Sequence, residues 1–478
     1  MEPHDPSPRT LAEALVIIEA QQRVIERLMA QVAQVEALTA RVAELEERLR
    51  QNSSNSGRPP SSDSPAQRGE RGQQAPSGKK AGGQPGHKGH RRELLPPEQV
   101  TRSTDVHPEY CDDCHRRLPR GVDPTPVVHQ VVDVPAIAPD VSQYRLFHAR
   151  CACGHVTCAK LPSDVPRGMC GTRLMALIGL LTGVYHVGRR DAVRFLADVL
   201  GIRLSLGTLS EAEDLVSEAV APAADEAREQ ALTDRIKHVD ATSWRLGTAG
   251  RSLWTIATAT VTVFAIMADG SKATLQTLLQ RVRGFLVSDR AKQFNFWAMD
   301  QRQVCWAHLV RKFVAFAERR GPVGKLGDSL LFWTDMMFHD WHRVRDGTLS
   351  RTKFREHMKV VQLAIERHLA NGVALGLTGV SGSCADILAH QAALWTFVTV
   401  PGVDPTNNHA ERELRAFVLW RKRCFGSQSE RGCHFATRVM TVVHTLRKQK
   451  RSVLPFLVNA CEARLGRAPM PSLLPAAA

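Results

Sequence analysis

The middle of the sequence predicts a mixed α/β fold, and three observations support this. From residue 235, three successive segments have the apolar alternation and β-branched content of strands: RIKHVDATSWRLG, SLWTIATAT and VTVFAIMAD. A helical segment, SKATLQTLLQRV, leads from them to a fourth strand, RGFLVSD. RQVCWAHLVRKFVAFAERR then indicates a short strand that runs into a basic helix. This order matches a ribonuclease H-like core, which is a mixed sheet with helices on both faces.

Two aspartates are candidate catalytic residues in this core. Asp240 lies within the first strand, and Asp289 ends the fourth, where an apolar run meets a polar loop. Because strands one and four are neighbours in a ribonuclease H-like sheet, we expect the two carboxylates to converge. Phosphoryl transfer on DNA uses two divalent ions about 4 Å apart, and Mg²⁺ prefers oxygen ligands. The pattern therefore predicts a site for two Mg²⁺ or Mn²⁺ ions.

A third carboxylate is expected from the helix in PTNNHAERELRAFVLWRKR. Thr406 or Asn407 can cap this helix, and both Glu411 and Glu413 lie on it. Glu411 shares a helix face with Asn407 and lies one turn from Arg415, which can hold a phosphate. The spacing alone leaves the choice between the two glutamates open.

Composition limits the partners and the setting of the chain. Its 478 residues suggest about three structural units. A net charge of +15 favours a polyanionic partner, either nucleic acid or an acidic membrane surface. The sequence contains no apolar run that would span a bilayer and begins without a signal-peptide pattern, so we expect a cytoplasmic protein that does not enter membranes. The 11 cysteines suggest free thiols and one metal site rather than a disulfide framework.

Residues 1–50 predict a coiled coil through which the chain self-associates. Apolar residues recur in steps of three and four, as a heptad seam requires. The first of them are Leu11, Leu15, Ile18, Ile25, Met29 and Val32. The alternative is a single amphipathic helix packed on the body of the protein.

Residues 51–106 predict a flexible basic linker. They are rich in Gly, Pro, Ser and Gln, and such a segment cannot bury enough apolar surface to fold alone. Its basic end is either a solvated linker or a phosphate-binding segment. The candidate DNA-binding residues there are Lys79, Lys80, Lys88, Arg91 and Arg92.

Residues 107–160 predict a zinc-binding module of the zinc-ribbon type. Cys111 and Cys114 form one knuckle, and Cys151 and Cys153 form a second, with VVHQVVDVP and SQYRLFHAR as short strands between them. Two paired knuckles in a reducing compartment favour structural Zn²⁺. The second knuckle is ambiguous because three neighbours can replace one of its cysteines, and reduced cysteines without metal are the alternative. The neighbours are His148, His155 and Cys158.

Five further segments complete the domain organisation. Residues 161–234 indicate three helices, either a helix-turn-helix or a scaffold, and acidic residues on the third favour the scaffold. The core occupies 235–321 and 401–450, interrupted at 322–400 by a helical insertion, and 451–478 form a C-terminal tail. Trp333, Trp341 and Trp395 in the insertion either stack on an extruded base or, as we favour, fill a helical core.

Over most of its length the chain resembles the insertion-sequence-66 family of bacterial transposases. The resemblance runs in order from about residue 51 to 428. The motifs that carry it are QNSSNSGRPPSSD, GGQPGHKGH, HVDATSW, SDRAKQFN, CWAHLVRKF, NNHAERELR and RKRCFGS. Asp240 is followed by Ala-Thr where the family usually has Glu-Thr, and Asp289 by Arg-Ala where Gly-Tyr is common.

The resemblance implies a DDE transposase with a ribonuclease H-like core and a zinc-binding module. It assigns the catalytic metal ligands as Asp240, Asp289 and Glu411, rather than Glu413. It implies cleavage of double-stranded DNA at the element ends and strand transfer into target DNA, in a bacterial cytoplasm near the nucleoid. Accessory proteins of the same element are plausible partners. The alternatives are an inactive DNA-binding regulator or another ribonuclease H-like nuclease.

The remaining candidate residues surround these motifs. The resemblance places His308 of CWAH near the active site, whereas Cys305 is better interpreted as structural. His238 lies two residues before Asp240, on the same strand face, where it either supports the metal site or packs. A basic set is expected to bind the DNA backbone with salt-sensitive affinity. Its members are Arg311, Lys312, Arg412, Arg415, Arg421 and Lys422.

Overall fold

A computed structural model of the chain describes residues 10–56, 63, 93–119, 125–279 and 283–475. The predicted phosphate-binding residues Lys79, Lys80, Lys88, Arg91 and Arg92 lie outside the described residues. The N-terminal segment forms one helix, α1 (Leu11–Arg50), about 60 Å long at 1.5 Å per residue. Within the described part of the chain, no helix is both long and apolar enough to cross a bilayer.

The cysteine-rich segment contains one small hairpin. Strand β1 (His148–Arg150) pairs antiparallel with β2 (Val156–Cys158) around the second cysteine knuckle. The strand predicted in VVHQVVDVP is wrong, because residues 127–135 have no strand hydrogen bonds. Its valines are exposed, and Val127 is 98% exposed. The alternating apolar residues of this segment therefore do not pack against a sheet among the described residues.

A helical region precedes the sheet. The second helix of this region begins after Gly188. It ends at Gly201, which adopts the left-handed conformation. The next helix starts at Ser205, whose side chain accepts a hydrogen bond from the Thr208 backbone N–H. The four helices are α2 (Thr172–Gly179), α3 (Arg189–Leu200), α4 (Leu206–Ala219) and α5 (Ala221–Thr233).

The centre of the molecule is a five-stranded mixed sheet, which confirms the predicted α/β class. Its spatial order is β5-β4-β3-β6-β7. The first three strands form an antiparallel meander, and β6 and β7 continue it in parallel pairing. In chain order the elements are β3 (Ile236–Leu246), β4 (Ala249–Ala257), β5 (Thr262–Met267), α6 (Lys272–Leu279), β6 (Phe285–Ser288) and β7 (Arg302–Val304).

Helices follow the sheet as far as Arg464. The segment between the last strand and the glutamate-bearing helix is helical. Its helices are α7 (Trp306–Ala317), α8 (Pro322–Arg345), α9 (Arg351–Ala374), α10 (Ser381–Ala389), α11 (Gln391–Leu394) and α12 (Thr396–Thr399). The last three are α13 (Asn408–Cys424), α14 (Glu430–Lys448) and α15 (Val453–Arg464).

Two large hydrophobic clusters hold these elements together. The first joins the helical region 172–233 to the sheet and to α14 and α15, so this region shares the core of the sheet. The segment expected as a C-terminal tail contributes Phe456 and Leu457 to that cluster. The second cluster joins β6, β7 and α7 to the insertion. Trp341 and Trp395 are each only 7% exposed within it, which agrees with their interpretation as core residues.

The start of the predicted linker is anchored to the core. Ser53, Asn55 and Asp63 are buried, and the Ser53 backbone N–H donates to Asp63 Oδ1 at 2.8 Å. The Asn55 amide donates to Glu318 Oε2, just after α7, at 2.8 Å. Polar side chains thus supply the contacts that the low apolar content of this segment cannot.

Candidate active site

Sheet register brings Asp240 and Asp289 beside each other. Strands β3 and β6 are parallel, with His238 opposite Val287. Asp240 lies two residues further along β3, and Asp289 directly follows Ser288, the last residue of β6, so the register brings both acids to the same level of two neighbouring strands. Neighbouring strands lie about 4.8 Å apart. The prediction that strands one and four are neighbours is confirmed.

The loop that carries Asp289 is fixed from two sides. Its Oδ1 accepts a hydrogen bond from the Ala291 backbone N–H at 3.0 Å. The buried guanidinium of Arg302, on β7, donates to the Asp289 carbonyl at 2.7 Å and to Ser288 Oγ at 3.2 Å. Burial lowers the pKa of Arg302 to about 10, which still leaves it charged at neutral pH. Arg302 therefore positions the end of β6 without touching the Asp289 carboxylate.

Helix α13 is tied to β3 at its first residue. Asn407 is the N-cap, as expected, but its side chain makes no cap hydrogen bond. Its amide instead donates to the Val239 carbonyl at 2.9 Å, next to Asp240. A side-chain cap contributes about 1 kcal/mol, and the helix gives it up for a contact that fixes its distance from the strand. Glu411 lies in the first turn of this helix, so the same contact fixes the position of its backbone relative to β3.

Glu411 faces three residues of the segment that opens α7. Its Oε1 lies 3.8 Å from His308 Nδ1, and its Oε2 lies 3.9 Å from Arg311 Nη2. The donor atoms of Cys305, His308 and Glu411 all lie within 4.8 Å of one another. Among the described residues, Asp240, Asp289 and Glu411 are not grouped this closely. Completing the predicted set therefore requires at least one of these three carboxylates to move toward the others.

Electrostatics nevertheless couple the three carboxylates. Burial, together with the negative charges of Asp289 and Glu411, raises the pKa of Asp240 to about 7. The Ala241 N–H, which donates to Asp240 Oδ1 at 2.8 Å, and the charge of Arg311 oppose this rise only partly. The site thus concentrates negative charge that the surrounding protein does not neutralise.

Glu413 belongs to a separate buried cluster. Its carboxylate accepts a hydrogen bond from His444 and lies 3.7 Å from His409 Nε2 and 3.8 Å from Lys448 Nζ. Burial raises its pKa, but the hydrogen bonds from His409 and His444 and the charges of His444 and Lys448 outweigh burial and lower it. The carboxylate therefore stays ionised and paired within the protein. The two glutamates that the sequence left as alternatives have different partners.

His238 packs between β3 and α13. It is 5% exposed, and its ring lies 5.1 Å from that of His409. Burial, together with the charge of His409, lowers the pKa of His238 to about 3, so the ring is neutral at physiological pH. These contacts point to packing beside the site rather than to a charged role in it.

The predicted DNA-binding residues of α13 divide into two groups. Arg412, Arg415 and Lys422 are exposed and share one helix face, since they lie at i, i+3 and i+10. Arg421 is turned toward β3 and donates to Thr242 Oγ1 at 3.0 Å and to Ser243 Oγ at 2.7 Å. Arg421 thus anchors the helix. On α7, Lys312 lies 5.3 Å from the centre of the Phe316 ring, and Arg311 faces Glu411.

The sequence did not predict the positioning contacts of Arg302 with the Asp289 carbonyl and of Asn407 with the Val239 carbonyl. An arginine within a short apolar strand was the available signal for Arg302. For Asn407 the capping pattern was recognised, but its contact with Val239 joins residues 168 positions apart. No local pattern reports such a contact.

The two cysteine knuckles lie in the segment that precedes the helical region and the sheet. Backbone N–H groups of Cys114 and Asp113 lower the pKa of the Cys111 thiol, and the backbone N–H of Cys153 does the same for Cys151. Cys158 Sγ lies 2.8 Å from His148 Nδ1 across the hairpin. The described residues of the two knuckles do not bring three donors within 4.8 Å of one another.

Two protein-family models match parts of this chain. No curated protein sequence matches it. A family model described as a family of unknown function, DUF6444, matches residues 2–93. The model of the transposase IS66 family matches residues 167–435, which include the sheet, Asp240, Asp289, α7 and α13. Because this match covers more than half of the 478 residues, the chain belongs to the IS66 family of transposases.

Proposed function

We propose that this chain is a DDE transposase with a ribonuclease H-like core, which cleaves DNA at the ends of its insertion element and joins the freed 3′ ends to target DNA. The register of β3 and β6, which sets Asp240 beside Asp289, is the observation that carries this proposal. The sheet order and family membership support it. The substrate is double-stranded DNA, and accessory proteins of the same element are further candidate partners.

The residues of the site fit divalent metal ions with oxygen ligands. Asp240, Asp289 and Glu411 would hold them, since hard cations such as Mg²⁺ or Mn²⁺ prefer carboxylates. Two observations support the fit: Glu411 Oε1 is buried and makes no hydrogen bond among the described residues, and the carboxylates raise the pKa of Asp240. When bound, two such ions activate the attacking oxygen and stabilise the leaving oxygen in an in-line displacement.

The protein itself supplies position and charge around that chemistry. Arg302 fixes the Asp289 loop, Asn407 fixes α13 against β3, and Arg311 places a positive charge beside Glu411. The proposed reaction needs no covalent bond between a protein side chain and DNA. The exposed basic face of α13 begins next to Glu411, so a phosphate backbone that follows this face would lead into the site.

The substitution Asp289→Ala tests the proposal directly. We expect it to reduce Mg²⁺-dependent cleavage and strand transfer by about 1000-fold, because a metal ligand contributes several kcal/mol of transition-state stabilisation. The measurement uses purified protein, labelled DNA carrying the element ends and a gel assay for cleaved and joined products.

Asp300→Ala is the matched control, because Asp300 is an exposed aspartate 11 positions away and should leave both products unchanged. Equal activity of wild type and Asp289→Ala would refute the assignment. DNA binding without any cleavage by wild type would favour an inactive regulator, and cleavage without joined products would favour a simple nuclease.

The basic face of α13 predicts how DNA binding depends on salt. In Arg412→Ala/Arg415→Ala, we expect the slope of log K against log salt concentration to fall by about two, because each lost phosphate contact removes about one released counterion. Fluorescence anisotropy at several salt concentrations measures the slope. Arg228→Ala, an exposed arginine on α5, should leave it unchanged, and an unaltered slope in the double variant would place the DNA elsewhere.

The proposal includes a structural Zn²⁺ ion in the cysteine-rich segment, held by Cys111, Cys114, Cys151 and Cys153. The backbone N–H groups aimed at the first cysteine of each knuckle support it, because such groups stabilise thiolates. We expect Cys111→Ser and Cys151→Ser each to lower the zinc content by about one ion per chain, measured by atomic emission after dialysis. Cys170→Ser, at a buried cysteine outside the module, should not. Unchanged zinc content in both knuckle variants would disprove the site.

Self-association through α1 is also part of the proposal. The apolar seam residues are exposed in the single chain, with Leu11 at 80% and Met29 at 68% exposure. An apolar stripe of this length on one helix finds a covering surface in a second copy of the same helix. A coiled coil would then bring two catalytic cores to the two ends of one element.

A further inference from the structure

We propose that Cys305, His308 and Glu411 form a second metal site, selective for a thiophilic divalent cation such as Zn²⁺, at the start of α7. It is distinct from the carboxylate site and from the cysteine knuckles, although it shares Glu411 with the former. The donor atoms of the three residues all lie within 4.8 Å of one another. A thiol, an imidazole and a carboxylate are the ligand types that zinc accepts in sites with three protein ligands and one open position.

Two of the donors are left without hydrogen bonds. His308 Nδ1 and Glu411 Oε1 are buried, lie 3.8 Å apart, and neither makes a hydrogen bond among the described residues. Buried polar atoms are almost always paired, so two such atoms facing each other indicate a ligand between them. In a tetrahedral zinc site the donors are roughly 3.3–3.6 Å apart, given bond lengths near 2.0 Å to N or O and 2.3 Å to S. The site therefore needs to contract by less than about 1.5 Å.

Burial raises the pKa of the free Cys305 thiol to about 11, and the Asn407 backbone N–H opposes this only partly, so the sulfur would become a thiolate only on binding a cation. The Cys305 sulfur is fully buried, which excludes competing thiols and most oxidants. The Asn407 backbone N–H donates to Cys305 Sγ at 3.1 Å. Cys305 is also the N-cap of α7, and the positive end of a helix dipole favours a negatively charged sulfur. This single thiolate decides the selectivity, since soft sulfur favours Zn²⁺ strongly over Mg²⁺.

The consequence for activity rests on the proposed transposase function. Glu411 is a ligand in both proposed metal sites, so the two sites compete for its carboxylate. A Zn²⁺ ion in the new site would hold the Glu411 carboxylate in the position that the structure shows, 3.8 Å from His308. Zinc should therefore inhibit cleavage that depends on Mg²⁺, even when Mg²⁺ is in large excess.

Cobalt binding tests the site without reference to activity. Co²⁺ reports a thiolate ligand through an intense ultraviolet charge-transfer band and a tetrahedral site through visible absorption. Metal-free full-length protein is titrated with Co²⁺, and we expect Cys305→Ala to bind one ion fewer per chain than wild type. His308→Gln, which keeps the Cys305 thiol, should weaken the binding of that ion at least 10-fold. The knuckle site, which both variants retain, serves as an internal check of folding.

Cys461→Ala is the matched control, because Cys461 is also a buried thiol whose pKa burial raises to about 11, and it should bind as many ions as wild type. Equal cobalt stoichiometry and equal thiolate absorption in wild type and Cys305→Ala would overturn the site. In the activity arm, Cys305→Ala should need at least 10-fold more Zn²⁺ for half-inhibition. An absence of any cleavage would refute the proposed function while leaving the cobalt result to decide the metal site.

Discussion

Glu411→Gln is expected to reduce Mg²⁺-dependent DNA cleavage about 1000-fold while changing the free energy of unfolding by no more than about 0.5 kcal/mol. Its carboxylate is 30% exposed, and its two charged neighbours lie near the limit of ion-pair distance, at 3.8 and 3.9 Å. Such contacts contribute little to stability. The substitution keeps the side-chain shape but removes the negative charge that a metal ion requires.

Glu413→Gln, two residues away, should give the opposite result. Its carboxylate is 16% exposed and serves His409, His444 and Lys448 together. Removing one partner of a buried ion pair leaves the other charge uncompensated and costs about 3 kcal/mol or more. Lys448 would keep only its hydrogen bonds to the carbonyls of Thr258 and Val261. The variant should therefore unfold at lower denaturant concentration, and where it remains folded it should still cleave DNA.

The pair is measured by urea denaturation and by a cleavage assay at a temperature where both variants are folded. Each variant acts as the control for the other, because both replace a glutamate by glutamine on the same helix. Loss of cleavage in Glu413→Gln with retention in Glu411→Gln would exchange the two roles. Equal destabilisation by both would show that α13 does not separate a catalytic from a structural side.

This pair also shows where prediction from sequence stops. Apolar alternation identified the strands and helices, and their order matched a ribonuclease H-like sheet, in which strands one and four are neighbours. This was enough for the α/β class and for the neighbourhood of Asp240 and Asp289. The different partners of Glu411 and Glu413 could not be predicted in this way. One of these partners, His444, lies 31 positions from Glu413 and packs against it only in the folded chain.

The errors have the same origin. Residues 127–135 alternate like a strand, but no partner strand lies beside them among the described residues, so the local pattern had no tertiary support. The polar start of the linker was expected to be flexible, yet Asn55 bonds to Glu318, 263 positions away. Arg302 and Cys305 also act through polar contacts outside their own elements. For Asn55, Cys305 and Arg302 the deciding partner is polar and lies 263, 102 and 13 positions away, respectively, and hydrophobic periodicity carries no information about such a contact.

Asp240→Asn is expected to stabilise the metal-free protein at pH 8 while abolishing metal-dependent cleavage. Burial and the neighbouring carboxylates raise the pKa of Asp240 to about 7 from its ordinary value of 3.8. The folded protein therefore holds this proton more tightly than the unfolded chain does. The resulting stability is fully present below about pH 4 and is lost as the pH rises through about 7.

Above that range the ionised carboxylate opposes folding, and asparagine does not. We expect Asp240→Asn to exceed wild type by about 2 kcal/mol or more at pH 8 and to match it at pH 4. Urea denaturation in EDTA at both pH values measures this difference. Asp225→Asn, at an exposed aspartate on α5, is the control that should show no such dependence.

Divalent metal should reverse the order of stability at pH 8. Under the proposed function, Mg²⁺ would bind the folded wild type, whose carboxylates are ionised, and would stabilise it in proportion to its occupancy. Asp240→Asn lacks one of these ligands and should gain little. A stability difference that is the same at pH 4 and pH 8, or that Mg²⁺ leaves unchanged, would contradict the account. Under the proposed function, the buried negative charge that destabilises the empty site above about pH 7 is also the charge that would attract the metal ions.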